Sequence, residues 1–418
     1  MSRWITALVL LLTFSASAVA AQFDPIQATD SYLSSVSAAE EANTNAYVDA
    51  GYRIMVAGVL LELAVAFALL QFGWSRRWRD WAEKSLKWKF AQAFVYVPIY
   101  VLVTTALLFP LSWYADFYTE HKYGLATADF GSWFTEFLQG TVLSAIGLAL
   151  FIAFLYLILR RTAGNWWLWA TGLSISFLVL LLFISPIYIQ PIFNDYRPMD
   201  EGPLKSSILS IARANGLQGE DVMQVDESKQ TNRVSANVSG VFSSARIALN
   251  DNLLNRASPE AVEAVMAHEI GHWVLNHIWK SLALFSLVFL LGFAATNLLF
   301  AAMLRKKGQA WGIRGIDDYA GFPLLYAIGS VIIFLATPMF YKITYVQEAE
   351  ADIFAINAID NPDAWAEVAL LTAEYRKLRP PQWEENWLNH HPSPHARVYM
   401  AMRWKAEHLS KDEEDSDD

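Results

Sequence analysis

Cysteine is absent from the 418 residues. That removes disulfide scaffolds, thiolate metal sites and cysteine nucleophiles together, so any metal must be held by His, Asp or Glu. Charge is scarce as well: 17% of residues are charged, against about 25% in soluble domains. Basic residues are outnumbered, giving a formal net charge of −10, and no basic stripe lies outside loops that flank apolar runs. Nucleic acid is therefore not expected as a partner, because phosphate binding needs clustered Lys and Arg. Internal repeats are lacking too. With 55% apolar residues, disorder, collagen-like and coiled-coil descriptions of the whole chain are excluded.

What the chain does have is apolar runs long enough to cross a bilayer, which takes about 20 residues. Arg3 precedes an apolar stretch from Trp4 to Phe14 and small residues ending at Ala18, Val19 and Ala20, the layout of a secretory signal peptide. An uncleaved anchor helix is the alternative; either puts residues 22–52 across the membrane from the cytoplasm. Six further spans are expected as helices: Ile54–Gly73, Phe90–Trp113, Phe137–Leu159, Trp166–Ile187, Ser281–Leu304 and Gly321–Tyr341. Three short loops carry the basic charge, with six Lys or Arg in 74–90, Arg160 and Arg161, and four in 305–314, whereas loop 116–137 has only Lys122. By the positive-inside rule the basic loops are cytoplasmic. Residues 190–280 and the C-terminal part then lie on the other side.

The first of these extramembrane regions mixes strand-like pieces, Val222–Val225 and Ala245–Leu249, with a helix introduced by Ser258 as N-cap and Pro259 in its first turn. On that helix stands His268-Glu269-Ile270-Gly271-His272, an HExxH motif. Residues four apart share a helix face, so both imidazoles can reach one Zn²⁺, while Glu269 sits beside the metal as a base for water and then an acid for the leaving amine. If the helix continues, His277 is turned about 180° from His268 and faces away from the site. A third histidine at the extended spacing is also missing, since Leu275 and Ile278 occupy the needed positions. Farther on, Glu348 and Asp352 share a helix face while Glu350 points elsewhere. Glu348 can complete a His₂Glu site and Asp352 can orient an imidazole, although a salt-bridged acidic helix end has the same spacing.

With these residues the chain resembles the type I CAAX prenyl protease family, integral-membrane gluzincins that include bacterial members, over about residues 110–400. The matching pieces are Glu120-His121-Lys122-Tyr123-Gly124, Ile187–Phe193, Ser228-Lys229, Ser235–Gly240, His268–Trp273, Glu348 with Asp352, and His391-Pro392 with Arg397. The resemblance implies that Glu348 is the third ligand, that Asp352 supports the zinc histidines, that His391 stabilises the oxyanion and that Arg397 holds the site together. Ser235 departs from the Asn usual in the family. The strand at Ser235, Ala236 and Asn237 can still bind an extended peptide by β-addition. Glu62, ionisable at membrane depth, has a chamber-lining role by family analogy and a paired structural role on its own chemistry. His390 and His395 have no matching family position and are expected at the surface.

The fold expected is mainly α: a polytopic α-helical membrane protein with a gluzincin-type zinc metalloprotease domain made of a small β element and the HExxH helix. Its organisation reads as a signal peptide (1–21), an N-terminal segment with spans one to four (22–189), a first protease part (190–280), spans five and six (281–342), a second protease part with the third ligand and the oxyanion histidine (343–405), and an acidic disordered tail (406–418). The function expected is a zinc endopeptidase, with one Zn²⁺ per chain, that hydrolyses peptide bonds with zinc-activated water in turnover or processing of membrane or exported proteins. Its partners are the lipid bilayer and a polypeptide substrate, membrane-bound or lipid-modified substrates included. The expected location is a bacterial inner membrane with the site on the periplasmic side. CAAX-type C-terminal processing of a lipid-modified protein is the alternative, and a non-proteolytic zinc-binding membrane scaffold is the alternative of another class.

Overall fold

A computed structural model of the chain describes residues 23–217, 221–239 and 246–416; the expected signal peptide lies outside them. In chain order the elements are α1 (Pro25–Leu33), α2 (Ala38–Gln71), α3 (Trp74–Ser85), α4 (Ala93–Ser112), α5 (Phe130–Thr162), α6 (Trp166–Ile184), β1 (Tyr196–Pro198), α7 (Pro203–Ala214), β2 (Val222–Val225), β3 (Ala236–Ser239), β4 (Arg246–Asn250), α8 (Asp251–Arg256), α9 (Pro259–Val274), α10 (His277–Trp311), α11 (Phe322–Ile359), α12 (Pro362–Leu371), α13 (Gln382–Trp387) and α14 (Pro394–Ser416). Six helices among the described residues are long and apolar enough to cross a membrane; four contain an expected span whole, and the other two miss only Gly73 with its neighbour Phe72 and residues 90–92.

The helices outrun the apolar windows. α2 begins at Ala38 rather than Ile54, behind a Ser37–Glu40 capping box, and α11 continues to Ile359 rather than stopping at Tyr341. Hydropathy reports only the lipid-facing portion; extending a formed helix adds one hydrogen bond for each residue fixed, so it runs on through polar residues. The N-terminal half of α2 is tied to the chain that follows α12, with Thr44 Oγ1 donating to the Ala373 carbonyl (3.0 Å) and Tyr52 OH to Glu384 (2.9 Å). The segment 406–418, expected as a disordered tail, instead continues α14 as helix to Ser416. The same propagation from a packed helix, whose Val398, Ala401 and Met402 are buried, accounts for the difference.

The three basic segments meet at one end of the bundle. Arg79 Nη1 lies 2.5 Å from the buried Asp318 carboxylate, Arg314 pairs with Glu83, and the Arg160 guanidinium sits 5.1 Å from the Tyr319 ring. Since α10 spans 35 residues, this end is roughly 50 Å along that helix from its start at His277, given 1.5 Å per residue.

At the other end lies the small sheet, with strand order β1-β2-β4-β3. β2 and β4 are parallel and β3 is antiparallel to β4, with Ala236 opposite Leu249. Alternate β4 residues join Ile208, Val222, Met266 and Ile270 in a core that fixes the sheet on α9. The Glu120–Gly124 loop docks on this layer: Thr127 N donates to the Gln230 carbonyl and Asn232 N to that of Leu125. Arg233 then links Glu120 (2.7 Å) with Tyr47 of α2. β3 is left as an edge strand facing α9.

Candidate active site

Ser258 caps α9 as expected, accepting from Ala261 N, and Glu367 holds it there by accepting from both its N–H and its hydroxyl. One face of this helix is built of small residues. Ala264 and Ala267 on α9 and Ala351 and Ala355 on α11 are fully buried, and a Cβ on Gly271 would come within 2.9 Å of Phe354. Small side chains let the two helices approach closely, which carries Glu348 to the histidines.

The geometry there is specific. His268 Nε2 and His272 Nε2 lie 3.1 Å apart, and the Glu348 carboxylate oxygens are 3.2 Å from the first and 3.4 Å from the second. Tetrahedral coordination with bonds of 2.0–2.1 Å has donor-to-donor edges of roughly 3.3 Å. The donor set, two imidazoles and a carboxylate converging without thiolate or lysine, thus fits one small divalent ion.

Behind these groups is a second layer. Asp352 is fully buried, with Oδ1 3.0 Å from His268 Nδ1. Arg397, itself 4% exposed, sets Nη2 3.0 Å from Asp352 Oδ1 and Nε 2.9 Å from Oδ2. Trp365 stacks on the His268 ring at 5.2 Å and takes the Arg397 guanidinium against its face. His391 Nδ1 approaches Glu348 Oε2 to 2.6 Å.

Burial raises the Glu269 carboxyl above the usual range, and that carboxylate has no hydrogen bond or ion pair among the described residues although it lines the cleft. Burial alone would lower His268, but the Asp352 and Glu348 carboxylates lift it to about 9. Burial pushes His391 down to about 3, helped by the nearby Arg376 and Arg397 cations. A metal-free His268 therefore holds a proton that His391 does not.

The cleft, about 320 Å³, is lined by His268, Glu269, His272, Glu348, His391 and Arg397 and also by Ser235 and Ala236 of the edge-strand segment. Asn237 does not line it, and its side-chain oxygen is buried without a partner. A second, mainly apolar cavity of about 660 Å³ runs from His272 and Glu348 between α6, α10 and α11, past Leu178, Leu182 and Phe285. Glu62 lies apart, its carboxylate accepting from Ser330 (2.5 Å) and Tyr326 (3.4 Å). His390 is exposed, its ring against Tyr341 and His391.

One expectation fails: His277 does not face away. Asn276, at φ 58°, breaks the helix between α9 and α10, so the rotation expected for a continuous helix does not apply. His277 is 3% exposed, its Nδ1 2.8 Å from His272 Nδ1 and its Nε2 3.0 Å from Glu350. Glu350, which the spacing directed elsewhere, ends this relay and also accepts from Lys280 (3.1 Å). Trp365 and Arg376 escaped the sequence reading as well. Only Asn276 carried a local signal, as a residue that tolerates left-handed backbone.

Comparison with known proteins follows the same division of the chain. Residues 198–405 match peptidase family M48, and residues 27–195 match the CAAX prenyl protease N-terminal region of five membrane helices. The chain is 30% identical over 348 residues to the uncharacterized metalloprotease YhfN of Bacillus subtilis, covering 83% of this chain and 82% of that protein. To CAAX prenyl protease 1 of Saccharomyces cerevisiae it is 33% identical over 190 residues, 45% of this chain and 42% of that one. In fold it is similar to S. mikatae Ste24p, with a TM-score of 0.73 at 20% identity over 88% of this chain and 90% of the other.

Proposed function

The chain belongs to peptidase family M48 and is a multi-pass membrane metalloprotease, and from that premise we propose that it is a zinc endopeptidase whose site is formed by His268, His272, Glu348, Glu269 and His391. The observation that carries the assignment is the triangle of Nε2, Nε2 and carboxylate atoms with edges of 3.1 to 3.4 Å, with the unpaired Glu269 carboxylate in the same cleft. Zinc suits two imidazoles and one carboxylate. When bound, it supplies a Lewis acid that polarises the scissile carbonyl and lowers the pKa of water.

The chain's own groups do the rest. Glu269, raised by burial, accepts a proton from the attacking water and delivers it to the leaving amine nitrogen. His391, which lines the same cleft, donates a hydrogen bond to the oxygen that becomes negative as the carbonyl is attacked. Asp352 accepts from His268 Nδ1 and so keeps its Nε2 lone pair free for the metal, and Arg397 holds Asp352 in place. The edge of β3 receives the substrate backbone as an added strand.

The two protease parts are placed at 190–280 and 343–405, separated by two spans. The gathering of the basic segments at the opposite end of the bundle supports a site on the non-cytoplasmic face, which in a bacterium is the periplasmic side of the inner membrane. Membrane and exported polypeptides are then the substrates. A second reading, cleavage of a lipid-modified protein near its C-terminus, is favoured by the apolar cavity beside Glu348 and by similarity to a protein named CAAX prenyl protease 1. The deciding experiment pairs metal analysis with peptide profiling of membranes that hold wild type or Glu269→Gln. The variant should keep its metal and lose the cleavage products; equal products from both would remove Glu269 from the mechanism.

A further inference from the structure

Cations around the cleft are paired, with one exception. Lys377 bonds Asp49 and Glu384, Arg379 pairs with Asp30, and Arg397 with Asp352. Arg376 has no ion pair among the described residues, and its Nη1 is buried without a hydrogen-bond partner. Its one charged-group contact of note is the face of the adjacent Tyr375 ring, 5.5 Å away. Arg376 as a whole is half-buried, but a buried guanidinium N–H with no acceptor is costly, and a fold that keeps one usually has an acceptor to offer it.

The position of Arg376 identifies that acceptor. Its side chain lines the cleft that holds His268, Glu269 and Glu348, and it also lines a neighbouring cavity of about 430 Å³ that includes His390 and Pro392. It stands where the two cavities share His391. Glu348 and Asp352 act electrostatically on both Arg376 and Arg397, and Glu269 feels Arg397; three carboxylates against two guanidinium groups and a divalent ion leave positive charge over for an incoming anion. Burial and the Arg397 charge lower the Arg376 guanidinium to about 10, and it stays charged at neutral pH. The planar fork of an arginine matches a carboxylate with two parallel hydrogen bonds.

We propose that Arg376 receives a carboxylate of the bound polypeptide beside the scissile bond, and so selects where along a chain this protease cuts. This rests on the reading of the cleft as a peptidase site. A C-terminal α-carboxylate and an acidic side chain offer the same chemistry. The first would direct cleavage to residues near a chain end, the second to an acidic residue next to the cut.

The test uses the full-length protein in detergent and one peptide that wild type cleaves, made as C-terminal acid or amide and with Glu or Gln at the positions flanking the cut. Wild type should prefer one carboxylate-bearing form by about 10- to 100-fold in kcat/KM, the range of hydrogen bonds to charged groups, chiefly through KM. Arg376→Gln should abolish the preference, and Arg376→Lys should keep part of it. Affinity of the uncleaved peptides for the Glu269→Gln protein, with and without Arg376→Gln, should show the same discrimination without turnover. Sensitivity to amidation identifies the α-carboxylate, and sensitivity to Glu→Gln identifies the side chain. A wild type indifferent to both changes overturns the proposal, as does a preference that survives in Arg376→Gln or a uniform fall in kcat on every peptide. If wild type and Glu269→Gln alike cleave nothing, the peptidase reading has failed instead.

Discussion

Replacing Asp352 by Asn tests the layer behind the metal ligands, and the structure sets three magnitudes for it. His268 must be neutral at Nε2 to ligate, yet without metal its pKa is about 9. Metal binding at pH 7 therefore displaces a proton held two units above the solution pH, about 1.4 kcal/mol per unit. Wild-type affinity should rise roughly 100-fold from pH 7 to pH 9 and level off above. Asp352 is one of the two carboxylates that raise this pKa, so in Asp352→Asn the rise should shrink to less than about tenfold. At pH 9, where the proton no longer competes, the lost anchor for the imidazole should still weaken binding about 10- to 100-fold. The third effect is on stability: Arg397, 4% exposed, loses its two contacts with the Asp352 carboxylate and keeps one of 3.3 Å to Glu348, and breaking a buried pair costs up to about 3–5 kcal/mol. Chelator competition in detergent between pH 6.5 and 9 reads the first two, and thermal unfolding reads the third. Arg397→Gln added to Asp352→Asn should cost less than the two single changes summed. An unchanged pH slope with affinity within twofold of wild type, or additive stability losses, would refute the reasoning.

His391→Ala should lower kcat by roughly 100-fold with KM nearly unchanged, because a hydrogen bond to the developing oxyanion acts only in the transition state; steady-state kinetics on one peptide check it. Gly271→Val should destabilise the protein by about 1–3 kcal/mol and weaken metal binding, since its side chain would meet Phe354, 2.9 Å from a Cβ at that place; thermal unfolding with metal titration reads both. A reporter active only in oxidising compartments, fused after Asp418, should give signal, and one active only in the cytoplasm should not. The opposite pattern would favour the lipid-modified, CAAX-type substrate.

The sequence displayed whatever depends on local repetition. Spans appear as apolar runs, and the start of α9 appears as Ser258-Pro259 because cap chemistry is confined to a few residues. His268 and His272 follow from the four-residue spacing of one helix face. Glu348 and Asp352 could be marked as a pair for the same reason, but a salt-bridged helix end has that spacing too, and only the packing of α11 on α9, with Ala264, Ala267 and Ala355 in one core, brings them to the histidines. His277 departs from its expected direction because the helix stops at Asn276, so the rotation of a continuous helix does not carry through it. Trp365 and Arg376 were invisible for a different reason. A fully buried Trp and an arginine among charged neighbours look the same in sequence whether they border a site or not; what distinguishes them is what folding sets beside them, the His268 ring for Trp365 and the cleft for Arg376.

The site is also distributed in a way that ties catalysis to the membrane fold. Both histidines and Glu269 come from α9, before the fifth span, whereas Glu348 and Asp352 lie on the continuation of the sixth span and His391 and Arg397 lie beyond it. No stretch of chain on one side of α10 holds all three proposed metal ligands, the number needed for a catalytic site. The return of α11 to α9 depends on α10 and α11 crossing together, and at the far end Arg79 and Arg314 on Asp318 clamp the turn between them. A soluble piece spanning 190–280 should therefore bind metal only with the weakness of a two-histidine site, and joining it to 343–405 by a short linker should not restore the wild-type affinity. Equal affinity in that fusion and in the full chain would show that the spans serve only as an anchor.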